Sequence, residues 1–184
     1  NHPKYPELGK RMIKLTKELW IEKADFMEVP DKKYFRLFPG NQVRLRYGYV
    51  VNCTGCEKDK DGNIIKVLCE YLADTKSGTP GSDSVKVKGN IHWVSTKYAL
   101  DGEVFLYDRL FKSEQPGIKS ENFLDDINPE SVKKIKVKLE ENLLNTNPYD
   151  KYQFERHGYF ICDTNSTNQN IKFNRTVTLR DTWK

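Results

Sequence analysis

Two arginines, Arg44 and Arg46, lie two positions apart within residues 43–51, where apolar side chains occupy every second position. That alternation is typical of a half-buried β-strand. On one strand both guanidinium groups would project from the same face about 7 Å apart, close to the spacing of successive phosphates in an extended nucleic acid. Guanidinium groups bind phosphates and base edges through paired donors. The pair indicates nucleic-acid binding, with two solvent-facing strand arginines as the alternative.

Two further segments mix aromatic, amide and basic side chains, namely Phe35-Arg36 and the run Gln153-Phe154-Glu155-Arg156. Aromatic rings and guanidinium planes stack on unpaired bases, and amide or guanidinium groups hydrogen-bond to base edges. Each segment alone is compatible both with RNA binding and with ordinary packing.

The four cysteines offer a second kind of chemistry. Cys53 and Cys56 have the C-x-x-C spacing of half a zinc site or a redox pair, and Cys69 could lie across a hairpin from them. A zinc site needs about four ligands, and the three histidines are scattered along the chain. We therefore expect reduced, packed thiols and no metal site.

Catalytic motifs are absent from the sequence. It has no G-x-S-x-G elbow, no glycine-rich phosphate loop and no H-E-x-x-H helix. The adjacent acids Asp125 and Asp126 have the pattern of solvated charge in a polar loop. We expect no catalytic residue in this chain.

The elements that would position these side chains are mostly strands. The Asp-Gly and Asn residues within 58–63 predict a hairpin turn between residues 43–51 and 64–71. Strand signals recur at 85–94, 103–111, 152–162 and 173–183, and residues 122–127 predict one short helical turn. Residues 131–144 have a helix-favouring composition but alternate like a strand. The pattern predicts an all-β fold of two small β-barrels.

Composition adds weaker constraints. The 184 residues carry a formal charge of +5, with 37% hydrophobic and 31% charged residues and a mean hydropathy of −0.76. A mild positive surplus is weak support for a nucleic-acid partner. No stretch approaches the ~18 apolar residues of a spanning helix, so we expect no membrane partner. The start at Asn1, without methionine or a signal peptide, suggests a fragment of a longer protein.

Several collinear segments resemble the glutaminyl-tRNA synthetase family. They are YFRLFPGNQVRLRYGYV at residues 34–50, VKVKGNIHWVS at 85–95, LYDRLF at 106–111, YQFERHGYF at 152–160 and FNRTVTLRDTW at 173–183. The resemblance implies the C-terminal anticodon-binding region of a class I synthetase, built as two ribosomal-protein-like β-barrels. It also implies that residues 131–144 are extended. Residues 31–111 would form the distal barrel, and residues 1–30 and 112–184 would form parts of the proximal one.

The resemblance also implies roles for individual residues. Arg44 and Arg46 are similar to the pair that binds around the first anticodon base, and Arg36 to the residue that recognises the third. Gln153 and Arg156, with the turn at Pro3 and Lys4, are similar to the pocket for the central uracil. Phe35 and Lys4 stand where some members carry Lys and Asn.

By this resemblance the partners are the anticodon loop of tRNA(Gln) and a parent catalytic domain, in a cytoplasmic monomer. The parent would attach glutamine to tRNA using ATP and magnesium, while this chain needs no cofactor. The alternatives are the equivalent domain of a glutamyl-tRNA synthetase, a free-standing rRNA-binding protein with the same kind of barrel, and a β-domain that docks other proteins.

Overall fold

The computed structural model describes residues 1–2, 4–120 and 122–179. The chain divides into two compact units. Residues Lys14–Tyr98 form one, here called the insert unit, and Asn1–Ile13 with Ala99–Lys184 form the other, here called the flanking unit. Each unit is built around its own sheet.

The insert unit contains six strands. They are β1 (Leu19–Trp20), β2 (Gln42–Leu45), β3 (Val50–Lys58), β4 (Ile64–Tyr71), β5 (Gly89–Ile91) and β6 (Val94–Ser95). Four form a sheet in the order β4-β3-β2-β5, in which only β2 and β5 pair in parallel, and β1 pairs with β6. The predicted β3–β4 hairpin is confirmed, and its turn is closed by Asp59, whose Oδ1 accepts the amides of Asp61 and Asn63.

One predicted strand, residues 43–51, is wrong. β2 ends at Leu45 and the chain reverses before β3 begins at Val50. Tyr47 has a φ of 58° in this reversal, and the Leu45 amide donates to Tyr49 O at 2.9 Å. Gly48 lies so close to Leu45 that a Cβ there would contact its side chain at 3.3 Å. Arg44 and Arg46 therefore do not belong to one continuous strand.

The described residues of the flanking unit contain five strands. They are β7 (Leu100–Tyr107), β8 (Val132–Leu139), β9 (Lys151–Phe154), β10 (Gly158–Cys162) and β11 (Ile171–Val177). The sheet order is β8-β7-β11-β10-β9, with β7 and β11 parallel. The extended assignment within residues 131–144 is confirmed by β8. The strand predicted at 152–162 is instead a hairpin, β9 and β10, and the end of the segment 173–183 lies outside the described residues.

Short 3-10 turns complete the described chain, at Pro6–Leu8, Lys23–Asp25, Ala73–Thr75, Phe123–Asp126 and Glu141–Asn145. The helical turn predicted at 122–127 is confirmed, and Asn122 caps it by accepting the Leu124 amide. Within the described ranges no helix has the length and apolar character needed to cross a membrane. The chain is thus all-β with short helical turns, as predicted, while barrel closure stays a prediction.

The units do not share the boundaries expected from the sequence. The expectation assigned residues 31–111 to one barrel, whereas the compact units divide after Ile13 and after Tyr98. Assignment of distal and proximal roles to the two units stays a prediction.

The core of the flanking unit is aromatic. Phe173 is fully buried and makes edge contacts with Tyr152 and Phe154, at ring-centroid distances of 5.7 and 5.2 Å, while Phe154 stacks on Phe160 at 4.4 Å. Burying one such side chain stabilises the fold by about 1.5–3 kcal/mol. The core of the insert unit is mostly aliphatic, and its buried members include Leu37, Val43, Leu45, Val50, Val51 and Ile91.

Close packing at Gly102 gives a test of this core. A Cβ at Gly102 would lie 2.5 Å from Leu139 Cδ1, so we expect Gly102→Ala to lower the unfolding free energy by about 1–3 kcal/mol. Leu139→Ala should cost about 2–5 kcal/mol. Because Leu139→Ala removes the clashing atom, the double variant should lose less unfolding free energy than the sum of the two single losses. Urea denaturation of the four proteins measures the coupling, and strict additivity would contradict the packing described.

Candidate nucleic-acid interface

Arg36 is held by a buried carboxylate. Its Nη1 lies 2.8 Å from Asp25 Oδ1 and donates to Ala24 O at 3.3 Å. The Asp25 side chain has no exposed surface, whereas 39% of the Arg36 side chain is exposed. A buried charge requires a partner, so this ion pair fixes the guanidinium at the surface. The geometry presents Arg36 to a ligand in one preset orientation.

Tyr34 completes this anchor. Its hydroxyl donates to Ala24 O at 3.0 Å, beside the Asp25–Arg36 pair. Burial of the phenol, together with the Asp25 carboxylate, raises the pKa of Tyr34 to about 12, although the nearby Arg36 opposes the rise. The phenol therefore remains a hydrogen-bond donor at neutral pH.

Phe35 lines a cleft of about 420 Å³. Lys88 Nζ lies 5.0 Å from the centroid of the Phe35 ring, and Lys86 and Lys32 also line the cleft. About half of the Phe35 side chain is exposed. An exposed ring beside lysines can stack on a base while the ammonium groups contact phosphate.

Arg44 makes internal contacts. Its Nη1 donates to Thr75 O at 2.7 Å and contacts Ser77 Oγ at 3.4 Å, and its Nη2 donates to Ser82 O. The side chain thus ties residues 75–82 to the β2–β3 hairpin. These bonds fix its position and occupy several of its donors.

Arg46 has different surroundings. Its guanidinium lies over the exposed ring of Tyr47, with Cζ 4.6 Å from the centroid, and Nη2 donates to Tyr47 Oη at 3.2 Å. The Arg46 carbonyl accepts Trp93 Nε1 at 2.9 Å, which fixes the backbone of the reversal. Both arginines lie on the β2–β3 hairpin. The Arg44 side chain bonds to a neighbouring loop, whereas the Arg46 side chain stacks on Tyr47.

Gln153 and Arg156 lie on the β9–β10 hairpin of the flanking unit. Gln153 is exposed and pairs with Tyr159 across the hairpin. Arg156 occupies the reversal with a φ of 71°, and the following His157 amide donates to Phe154 O at 2.9 Å. Both residues lie on this one hairpin, and their joint role stays a prediction.

Lys4 is exposed, and its amide donates to His2 Nδ1 at 3.2 Å. The ring of His2 packs against Tyr5 at a centroid distance of 4.6 Å. Pro3, the other residue predicted in this turn, lies outside the described residues. The predicted site residues thus fall in both units, with Phe35, Arg36, Arg44 and Arg46 in the insert unit.

The cysteines are free thiols. Cys53 pairs with Cys69 in the β3–β4 register, and burial is the main cause that raises the pKa of both, for Cys69 to about 12. Raised values keep the thiols protonated and weaken them as metal ligands or nucleophiles. Within residues 1–2, 4–120 and 122–179, no group of three or more His, Cys, Asp or Glu side chains could hold a metal ion.

Sequence reasoning missed Asp25, Tyr34 and Lys88, the residues that surround Arg36 and Phe35. Asp25 carries no local signal, because an acid that follows Lys23 and Ala24 has the appearance of a solvated surface residue. Lys88 was visible in the alternating segment 85–94, but its proximity to Phe35 depends on the parallel pairing of β2 with β5.

Together, these features define a class of protein: an all-β chain of two units that presents arginine, amide and aromatic groups from hairpins and short loops. Two family models match it, at residues 1–72 and 90–163, and both are described as the anticodon-binding domain of class I (E and Q) tRNA synthetases. The chain belongs to this family.

Curated relatives agree with the family assignment. Proteins named glutamine–tRNA ligase from Ralstonia pickettii and Ralstonia nicotianae are 60% and 59% identical to this chain over 183 residues, and one from Nitrosomonas europaea is 49% identical over 185. These matches cover 99–100% of the chain but only 32–33% of each relative. The chain spans about a third of their length.

The internal contacts of Arg44 generate a prediction about the neighbouring loop. Arg44→Ala should increase hydrogen exchange at the Ser77 amide, which donates to Gly48 O at 2.9 Å. Hydrogen bonds from a charged donor contribute about 1.5–3 kcal/mol, so exchange should accelerate roughly tenfold or more. Arg46→Ala is the matched control and should leave this amide unchanged. Equal acceleration in both variants would refute the anchoring role.

The raised pKa of Tyr34 predicts a dependence of stability on pH. Since the folded pKa of about 12 exceeds the ordinary value of 10.0, the stabilisation is complete below pH 10 and is lost as the pH rises towards 12. Tyr34→Phe cannot ionise at this position. The stability advantage of the natural chain over this variant should therefore decline between pH 10 and 12, as measured by urea denaturation. A constant difference would show that Tyr34 titrates normally.

Proposed function

We propose that this chain recognises the anticodon loop of tRNA(Gln) as part of a glutamine–tRNA ligase in the cytoplasm. Membership of the anticodon-binding family and the names of the relatives support this function. The observation that carries the residue-level proposal is Arg36, whose guanidinium is exposed but fixed by the buried Asp25. ATP and its magnesium ion would act in the catalytic part of such a ligase.

Recognition would proceed by unstacking the loop and placing each base in a separate site. Single-stranded loops expose base edges, which fixed hydrogen-bond donors can discriminate. Arg36 would contact the third base through its exposed donors, and Phe35 with Lys88 would hold the adjoining base plane and phosphate. Because the ion pair fixes the side chain before binding, less conformational freedom is lost on binding.

The first base would lie against Arg46 and Tyr47 rather than against Arg44. The guanidinium of Arg46 stacks on an exposed tyrosine, while that of Arg44 is bonded to loop carbonyls. Arg44 would therefore act as a positioning residue for the hairpin that carries Arg46. Gln153 and Arg156, with Lys4 and Pro3, would form the site for the central uracil. The chain would act as a monomer.

Arg36→Lys is the sharpest test of third-base recognition. Lysine retains the positive charge that Asp25 requires but lacks the planar fork of donors. Complete removal of the side chain would also leave a buried carboxylate without this partner and would confuse recognition with stability. We expect discrimination at the third base to fall roughly tenfold or more, since a bidentate base contact is worth about 1–3 kcal/mol.

The measurement is fluorescence anisotropy with anticodon stem-loops that differ at one base. Arg109→Lys, an arginine outside the proposed site, is the matched control and should bind as the natural chain does. A similar loss of affinity for every third base in the Arg36→Lys variant would reduce the role of Arg36 to nonspecific attraction. If the Arg36→Lys variant keeps full discrimination at the third base, Arg36 does not recognise that base.

A further inference from the structure

The face of the flanking sheet that points away from its core carries exposed aromatic side chains. Successive residues of a strand point to opposite faces. Because Val104, Phe160 and Phe173 are buried in the core, the strand neighbours Phe105, Tyr159 and Asn174 lie on the other face. Tyr107 shares that face with Phe105. Tyr107 is 55% exposed and Tyr159 is 47% exposed, so both rings are accessible.

The two tyrosines are spaced across the sheet. Tyr159 pairs directly with Gln153, and β11 separates its strand from that of Tyr107. At about 4.8 Å between neighbouring strands, the two positions are about 10 Å apart. The Tyr107 hydroxyl donates to Asn174 Oδ1 at 3.1 Å, and Asn174 Nδ2 donates to Asp163 Oδ2 at 2.6 Å. This chain of bonds holds the Tyr107 ring in place.

Lysines border these rings on both edge strands. On this face Lys134 pairs with Glu103 and Lys138 with Asp101, each at 2.6 Å. Lys136 and Lys151, on opposite edge strands, form no ion pair among the residues that the structure describes, whereas Lys172, on the central strand, lies across from Glu103 and interacts electrostatically with Asp163. The face is therefore aromatic near its centre and positively charged at its borders.

That combination favours a polyanion with flat, stacking groups over an apolar protein surface. Bases stack on exposed aromatic rings irrespective of sequence, while ammonium groups attract the backbone. We propose that this face, defined by Tyr107, Tyr159, Asn174, Lys136, Lys151 and Lys172, is a platform for single-stranded RNA without base preference. This platform is separate from the three base sites proposed above. It rests on the proposed function, because its natural ligand would be nucleotides of the same anticodon loop.

A short oligoadenylate, which has neither an anticodon loop nor a uracil for the proposed Gln153 site, separates the platform from the proposed base sites. Tyr107→Ala should weaken its binding to the 184-residue chain roughly five- to a hundredfold, as expected for loss of one base stack. Tyr107→Phe keeps the ring and should bind within twofold of the natural chain. Tyr71→Ala, an exposed tyrosine on a strand of the insert unit, is the matched control, and thermal unfolding checks that each variant folds.

Charge and composition provide two further measurements. Replacing both Lys136 and Lys151 by alanine should reduce the slope of log affinity against log salt by about 0.7 for each lysine that contacts a phosphate. Oligocytidylate should respond to every variant as oligoadenylate does, and Arg36→Lys should leave the binding of both unchanged. Failure of Arg36→Lys to alter third-base discrimination would count against the proposed function while leaving this result intact.

The platform is overturned if the natural chain does not bind the oligoadenylate, or if Tyr107→Ala binds it as tightly as the natural chain. The second result would be expected of a face that docks a protein. A loss in Tyr107→Ala matched by an equal loss in Tyr71→Ala would also overturn it, because the effect would not depend on this surface.

Discussion

The two-residue period of the strands, fixed by burial of one face, is the constraint on which the flanking unit depends. Phe173 has no exposed surface and packs against Phe160 from the adjacent strand β10 and against Tyr152 and Phe154 from β9 beyond it. A register shift of one residue would exchange these rings for the polar residues between them, which is prohibitively unfavourable. The aromatic core thus determines not only the fold of the unit but also which side chains reach its other face, including Gln153 and Tyr159.

In the insert unit, the positions of the arginine side chains are determined by polar contacts as well as by the core. Two arginines illustrate opposite uses of the same side chain. Arg44 donates hydrogen bonds to backbone carbonyls and so fixes the path of the loop at 75–82. Arg36, in contrast, forms an ion pair with a buried carboxylate and stays partly exposed. A long basic side chain loses much rotamer freedom when it binds a ligand, unless the protein has already restricted it. The Asp25 pair supplies that restriction in advance, which suits recognition of a single base.

Much of the fold follows from sequence because its signals are local. Asp59 to Asn63 contains its own turn chemistry, and Asn122 caps the turn that follows it. The reversal at Tyr47 carries a weaker signal, since alternation continues through it and only Gly48 interrupts the pattern. The burial of Asp25 and the contact of Lys88 with Phe35 could not be predicted, because both depend on pairing between distant segments. The family resemblance supplied the residues for the candidate site, but not which of them are anchored internally.

Both hairpins for which base recognition is proposed reverse through a non-glycine residue with positive φ. Tyr47 has a φ of 58° beside Arg46, and Arg156 itself has a φ of 71°. Such a conformation costs about 1–2 kcal/mol for a residue with a side chain. Tyr149, with a φ of 71°, shows that the conformation alone does not mark a site, because there the amide simply bonds Cys162 O at 3.0 Å. At Tyr47 and Arg156 the reversal also places an arginine at or beside its apex. A tighter glycine turn would relieve the strain but remove the side chain, so recognition offers a reason for each reversal to retain a costly backbone.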